Sequence, residues 1–435
     1  MPVPSTSPTG HPPDHDLPAY NEPPRPKLPF SAGCSRIPFV LLVVFLAGCG
    51  RAPAPEPDLA RASWEEIERL ARGQTVDLLM WTGDPYINAY MRTYVIPTLR
   101  ERHGITLNIV PGQGNQIVSM LMTEREAGKT ESAFDMMWIN GETFYQLRQI
   151  DALYGPFTER LPNARYIDFD DPFIGIDFQQ PVDGYEMPWG NVQWILIYDS
   201  ARVSDPPRTP EALAAWVKAH PGRFTFDTSF TGMTFLKTLL IHFAGGPGRL
   251  SGPFDPETYA RHAPRLWRFL NEIKPYLWKR GETFPASVTQ LHQLFAAGEI
   301  DFTMSNNDGE VDNKVLQGLF PETARAYVLD GGTIRNTHYL GIVKTAPHKA
   351  GALVVCNFLI SPEAQLKKLD PQVWGDGTVL DLDRLPPAWQ ERFRNVSGRR
   401  FAPDRAAIRD RALQEPDATY MIRLYDDFRR EVIGR

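Results

Sequence analysis

Cysteine is scarce in this chain: 435 residues hold three, Cys34, Cys49 and Cys356. If the mature chain begins at Cys49 with its thiol modified, only Cys356 is left free and no intramolecular disulfide can form. That does not argue against export, because exported proteins need not use disulfides. An excess of positive charge is also missing. The formal net charge is −6, which excludes the basic field of a nucleic-acid binder. No apolar run reaches the roughly 20 residues that a membrane-spanning helix needs. Neither H-E-x-x-H nor G-x-S-x-G occurs, and the nine histidines show no metal-ligand spacing. Gly128-Lys129-Thr130 suggests a phosphate loop, but Thr123 stands where its first glycine belongs. Asn306 to Asp312 lacks the acid spacing and bidentate glutamate of a calcium loop. The chain therefore offers no catalytic residue, metal site or cofactor motif. Aromatics are abundant, with 10 Trp, 15 Tyr and 24 Phe; most belong in cores, and the rest suffice to wall a binding cleft.

The longest apolar run, Ile37 to Ala47, has the length of a signal-peptide core. Arg25, Lys27 and Arg36 precede it, and Leu46-Ala47-Gly48-Cys49 follows. That order resembles a bacterial lipobox, in which the cysteine is lipidated and becomes the first mature residue. Its alternatives are an ordinary small-residue cleavage site and a chance apolar run followed by a cysteine. Positions 1–30 hold ten prolines, so the segment ahead reads as a disordered, unusually long n-region, or translation starts nearer Leu28. Three acids and three bases lie in residues 1–48, so their removal leaves the charge at −6. Residues 49–60, with Arg51-Ala-Pro-Ala-Pro-Glu-Pro57, read as an extended tether to a membrane anchor at Cys49.

Further on, helical and strand patterns alternate. Ser63 caps a helix to Arg72, and Val76–Trp81 is a buried strand ending in Thr82-Gly83-Asp84-Pro85. Tyr86–Glu101 is helical, Ile105–Val110 a strand, Gln116–Ala127 a helix and Phe134–Trp138 a strand; Asn140-Gly141-Glu142 opens the next helix. This alternation predicts an α/β fold with a parallel sheet, whose ligands sit at the carboxyl ends of the strands. Gly222–Phe226, Glu299–Met304 and Tyr339–Val343 read as further strands, and the region from 370 onward is charged and mostly helical in pattern.

Gly184-Tyr-Glu-Met-Pro-Trp-Gly-Asn-Val-Gln-Trp-Ile-Leu-Ile-Tyr-Asp-Ser200, followed by Asp205-Pro-Pro-Arg-Thr-Pro-Glu-Ala-Leu213, resembles the first inter-lobe crossover of type II periplasmic binding proteins. Ala297–Met304 resembles the returning crossover. Tyr339–Leu353 and Asn357-Phe-Leu-Ile-Ser-Pro-Glu-Ala-Gln365 resemble the elements that close the first lobe. The resemblance covers about residues 70–370 and is strongest to the thiamine, polyamine and ferric-iron branch of solute-binding proteins. It implies a two-lobe fold with a ligand cleft between lobes joined by two crossover strands. Lobe 1 is then 61–187 with 303–370, lobe 2 is 188–302, and 371–435 is a helical extension packing on both. It also implies an extracytoplasmic receptor, not an enzyme, that closes on a small molecule and delivers it to an ABC permease and ATPase as a monomer. The alternatives are a lipid-anchored enzyme or a permease-free sensor on the same fold.

The candidate ligand residues lie at strand ends and crossovers. Trp81, Gly83 and Asp84 pair an indole with a carboxylate, which suits an organic cation; Asp84 before Pro85 reads equally well as a helix cap. Trp138, Asn140 and Glu142 form a second group, with dipole compensation as the other reading of Glu142. Tyr185, Trp189 and Asn191 lie on the crossover, where hinge packing is the alternative. Thr231 and Gly232 start a helix across the cleft, Asn306 and Asn307 follow the returning crossover, and His338 precedes a strand. Asn-Asn at that crossover replaces the adjacent tyrosines typical of ferric-binding relatives. The expected ligand is thus a small cationic or zwitterionic molecule, thiamine-like first, with polyamines next and anionic ligands after them.

Overall fold

Ser63 accepts a hydrogen bond from the Glu66 N–H and starts α1 (Trp64–Ala71), a helix whose apolar side buries Ile67 and Ala71. The structure is a computed structural model that describes residues 58–396 and 398–434. The leader, Cys34 and the lipidation candidate Cys49 lie outside the described residues. β1 (Thr75–Met80) leads to α2 (Pro85–Tyr90) and α3 (Ile96–His103). A continuous helix is expected here, but a π-helical turn over Met91–Val95 separates the two. Pro97 has no N–H to donate to the Thr93 carbonyl, so the regular ladder cannot run through. β2 (Thr106–Pro111), α4 (Gly114–Glu126), β3 (Met136–Ile139) and α5 (Gly141–Gln149) follow. β1 pairs in parallel with both β2 and β3, as the alternating pattern requires.

A two-residue hairpin, β4 (Ile176–Asp177) and β5 (Gln180–Pro181), precedes the crossover strand β6 (Glu186–Gln193). β7 (Ile195–Asp199), α6 (Pro210–Ala219), α7 (Phe230–Ala244), α8 (Pro256–Ile273), α9 (Val288–Ala296), β8 (Phe302–Ser305), α10 (Glu310–Leu316) and β9 (Ala324–Tyr327) build the second half. Gly222–Phe226 is not a strand. Its main chain bonds singly to irregular segments, Gly222 N–H to the Tyr276 carbonyl and Trp278 N–H to the Phe224 carbonyl. Both edges of β7 are already taken, by β8 and β9. β10 (Thr333–Ile342) returns to the first sheet, antiparallel to β3 and β6. α11 (Lys349–Leu359) and α12 (Pro362–Leu369) cover that sheet. The tail contributes α13 (Pro387–Arg394), α14 (Arg405–Ile408), β11 (Ala412–Leu413), which pairs with β10, and α15 (Ala418–Phe428).

Two hydrophobic cores result. Val76, Leu78, Met136, Trp189, Leu353 and Phe393 belong to the first. Ile195, Phe226, Leu236, Met304, Tyr327 and Met421 belong to the second. The chain crosses between them at Gln193–Ile195, where β6 ends in one sheet and β7 begins in the other. Residues 303–334 differ from the sequence expectation: Met304, Val311, Val315, Ala324 and Ile334 pack in the second core, and the return runs along β10. The reason is register, since β8 and β9 both pair with β7. The tail also divides, with Trp374 to Phe393 in the first core and Phe401 to Val432 in the second.

Candidate functional site

The loop after β1 is gripped by the second lobe. Asp84 caps α2, its Oδ1 accepting from the Tyr86 N–H at 2.7 Å and the Ile87 N–H at 3.0 Å. Its Oδ2 pairs with Lys314 of α10, which also bonds Glu310 at 2.8 Å and lies 4.6 Å from the Tyr86 ring centroid. Thr289 of α9 donates to the Gly83 carbonyl at 3.0 Å. The Trp81 indole folds back over Gly83, where a Cβ would meet it at 2.6 Å. Asp84 thus has both oxygens committed, one to a helix end and one across the lobes.

A second group sits at the hinge. In β6 the register shifts between Gly190, opposite His338, and Pro188, opposite Tyr339. Trp189 is the extra residue of this β-bulge, a device that re-aims a side chain. It is fully buried, 5.1 Å edge-on to Trp138, 5.3 Å from Trp374 and 5.8 Å from His338. His338 Nε2 lies 3.2 Å from Asp376, which also pairs with the buried Lys368. Burial alone would push the Asp376 carboxyl up, but Lys368 and His338 hold it below its ordinary range. Asn191 Nδ2 donates to Thr337 Oγ1 at 2.7 Å and its Oδ1 accepts from Arg335, which pins β6 to β10. Tyr185 packs away from this group, beneath Arg148 and against Gly155. Asn307 Oδ1 accepts from the Gly309 N–H and shapes its own turn.

The third group draws on the start of α5 and on the second lobe. Asn140 is half-buried at the start of α5 and makes no capping bond with its side chain. Two residues on, Glu142 is buried with Oε2 unpartnered. Burial pushes its carboxyl up to about 7, against the pull of Lys237. From the second lobe comes Asp227, fully buried; its Oδ1 accepts from the Ser229 N–H at 2.8 Å while Oδ2 has no partner. Burial raises this carboxyl too, against hydrogen bonds from Ser229 and the Gly232 N–H. Both carboxylates act on the Tyr425 hydroxyl, which burial and these two charges drive far upward. Glu142, from the first lobe, and Asp227, from the second, are thus both felt by Tyr425 of the tail. Asn306 Nδ2 donates to Thr231 Oγ1 at 3.0 Å and leaves its own Oδ1 buried and free. Gly232 lies directly on the Asp227 carbonyl, where a Cβ would sit 1.7 Å away.

The structure thus joins Trp138, Trp189 and His338 in one aromatic cluster and sets Thr231, Gly232 and Asn306 beside Asp227, while Asn140 and Glu142 open α5. Tyr185 packs against Arg148 and Gly155, Asn191 pins β6 to β10, and Asn307 shapes its turn while its Nδ2 stays buried without a partner. Asp227, Lys237, Glu415 and Tyr425 were not singled out from sequence. Lys237 had a usable signal, one lysine inside the apolar run Met233–Ile241; Glu415 and Tyr425 had none, since their role depends on how the tail folds back.

Residues 95–392 match the family described as bacterial extracellular solute-binding protein. The chain belongs to that family. This solute-binding protein is 38% identical over 334 residues to Protein YnjB of Escherichia coli K12, spanning 76% of this chain and 86% of that one. Its fold matches a putative spermidine/putrescine ABC transporter protein from Listeria monocytogenes with a TM-score of 0.59 and 18% identity, over 83% of this chain and 99% of that one. It also matches the periplasmic binding protein AfuA from Actinobacillus pleuropneumoniae, solved with fructose-6-phosphate, with a TM-score of 0.59 and 11% identity, over 82% and 98%. At such identities the likeness is one of fold, the type II periplasmic-binding-protein fold. No helix among the described residues is long and apolar enough to cross a membrane.

Proposed function

We propose that this ABC-type solute-binding protein is a monomeric receptor anchored through a lipid on Cys49. It closes its two lobes on a small organic cation, thiamine-like in charge, and delivers it to a permease and ATPase. One observation carries the ligand class: Glu142 of the first lobe and Asp227 of the second each keep a buried carboxylate oxygen without a partner. A buried charge without a partner is costly, and a cation that touches both carboxylates removes that cost only when the lobes are closed. Such a ligand binds the closed form better than the open form, which is what shifts the equilibrium. Among the described residues, no three His, Cys, Asp or Glu side chains gather into a metal-holding group.

The test is a thermal-shift series on the full chain with thiamine, putrescine, ferric citrate and fructose-6-phosphate. A ligand at 100 times its Kd adds about 2.7 kcal/mol of stability. Stabilisation by an organic cation, lost in Glu142→Gln and in Asp227→Asn, is the expected result. Stabilisation by the sugar phosphate alone sinks the cation reading.

A further inference from the structure

We infer that Lys237 is a specificity-determining residue of the proposed ligand site: its ammonium fills one cation position, walled by Phe178, Phe230 and Glu415, and so restricts the ligand to a single cationic centre placed at Glu142. The inference rests on the function proposed above.

Lys237 lies in the middle of α7, fully buried among Met233, Phe235, Leu236, Leu239 and Leu240. A lysine in such a helix needs a partner. It has one in Glu415, whose other oxygen accepts from Asn336 Nδ2 at 3.2 Å. The ammonium also faces two aromatic rings, 4.2 Å from the Phe178 centroid and 5.1 Å from that of Phe230. Two ring faces and a carboxylate form a cation-recognition box. Here the protein's own tethered ammonium occupies it.

The box is built at a backbone cost. Phe178 and Gln179 form the tip of the β4–β5 hairpin with φ of +45° and +63°, a region that bulky side chains rarely adopt. The tip is held against the second lobe: Gln179 Nε2 donates to the Glu415 carbonyl at 2.7 Å, and the Gly252 N–H donates to Gln179 Oε1 at 3.1 Å. The Phe178 ring lies on Gly141, where a Cβ would come within 2.0 Å of it. Gly141 is the residue immediately before Glu142. The Phe178 ring therefore links the filled box to the start of α5, where Glu142 stands. A ligand cation has Glu142 available and finds Glu415 already neutralised; the neighbouring Asp177 carboxyl is pushed far upward by burial and by Glu415 and Glu142, which keeps it protonated and uncharged.

The test compares thiamine, with one permanent cationic centre, and putrescine, with two, by calorimetric titration of the full chain. The wild type is expected to prefer thiamine. Lys237→Ala frees Glu415 and the two ring faces, and is expected to shift the preference toward putrescine by at least about tenfold, roughly 1.4 kcal/mol. Lys237→Ala with Glu415→Gln lacks the second anion and is expected to lose that shift. n-Propylammonium chloride is expected to raise the Tm of Lys237→Ala, or to restore its folding when present during refolding, while leaving the wild type and the double variant unmoved. A wild type that prefers putrescine, an unchanged preference in Lys237→Ala, or no rescue by n-propylammonium overturns the inference. If the wild type binds neither cation, the proposed function itself falls.

Discussion

Glu142 titrates in a way that links ligand, pH and stability. Its ordinary value is 4.5 and burial raises it to about 7 in the folded chain. Between those values the folded form holds a proton that the unfolded chain has released. Stability from this group therefore falls as pH rises from about 4.5 to about 7, then levels off. Glu142→Gln removes the ionisation. Above pH 7 the variant without ligand should be more stable than the wild type by up to about 3 kcal/mol, and urea unfolding across this window checks it. A flat wild-type profile contradicts the account. At this scale sequence reading was partly sufficient. Asn140 and Glu142 stand where the sequence pattern puts them, at a strand end that opens into a helix. Asp84 was ambiguous on its own: residue type could not reveal that Lys314, 230 positions away, takes its second oxygen. Trp189 reads from sequence as a ligand contact or as hinge packing, and the bulge aims it into the aromatic cluster with Trp138, Trp374 and His338.

Among the elements, the start of α2 ties a local signal to a distant one. Asp84 is a cap by sequence and a cross-lobe anchor by structure. Asp84→Asn keeps a capping side chain and loses the ion pair, whereas Asp84→Ala loses both. We expect Asp84→Ala to cost about 3 kcal/mol in urea unfolding, with Asp84→Asn recovering about 1 kcal/mol of that; equal losses contradict the division. The alternation of helices and strands was legible because core-facing apolar runs and caps are local features. The π-helical turn at Met91–Val95 and the absence of a strand at Gly222–Phe226 were not. The first depends on one missing N–H inside a good helical pattern. The second depends on which strands already flank β7.

For the whole molecule, the tail acts as a further tie between the halves. Asp308 receives Arg399 and Arg405 from it, and Asp312 accepts the backbone N–H groups of Arg400, Phe401 and Ala402. Burial works against the Asp308 carboxylate, but the two arginines and the Gln193 N–H hold it far below its ordinary range. Its stabilisation is therefore present above the unfolded-state value and lost as pH falls through the folded one. Asp308→Ala leaves two guanidinium groups without their carboxylate and should cost about 3–5 kcal/mol, read as a lowered midpoint in chemical unfolding; a midpoint within error of the wild type refutes the tie. The two-lobe plan was visible in the sequence because the crossover strand and its following helix are contiguous there. The tail's path was not, since its partners Asp308, Asp312 and Lys237 come from other elements.

The central claim is that an organic cation meets an ionisable carboxylate between the lobes. Calorimetric titration of the full chain with thiamine, at about pH 6 and about pH 8, tests it most directly. Binding should favour ionised Glu142, so at the lower pH it should release a large part of one proton and be weaker by up to about tenfold per pH unit below 7. Glu142→Gln should bind weakly with no proton release at either pH. Equal affinity and no proton release in the wild type at the two pH values, or binding undiminished in Glu142→Gln, would contradict the account.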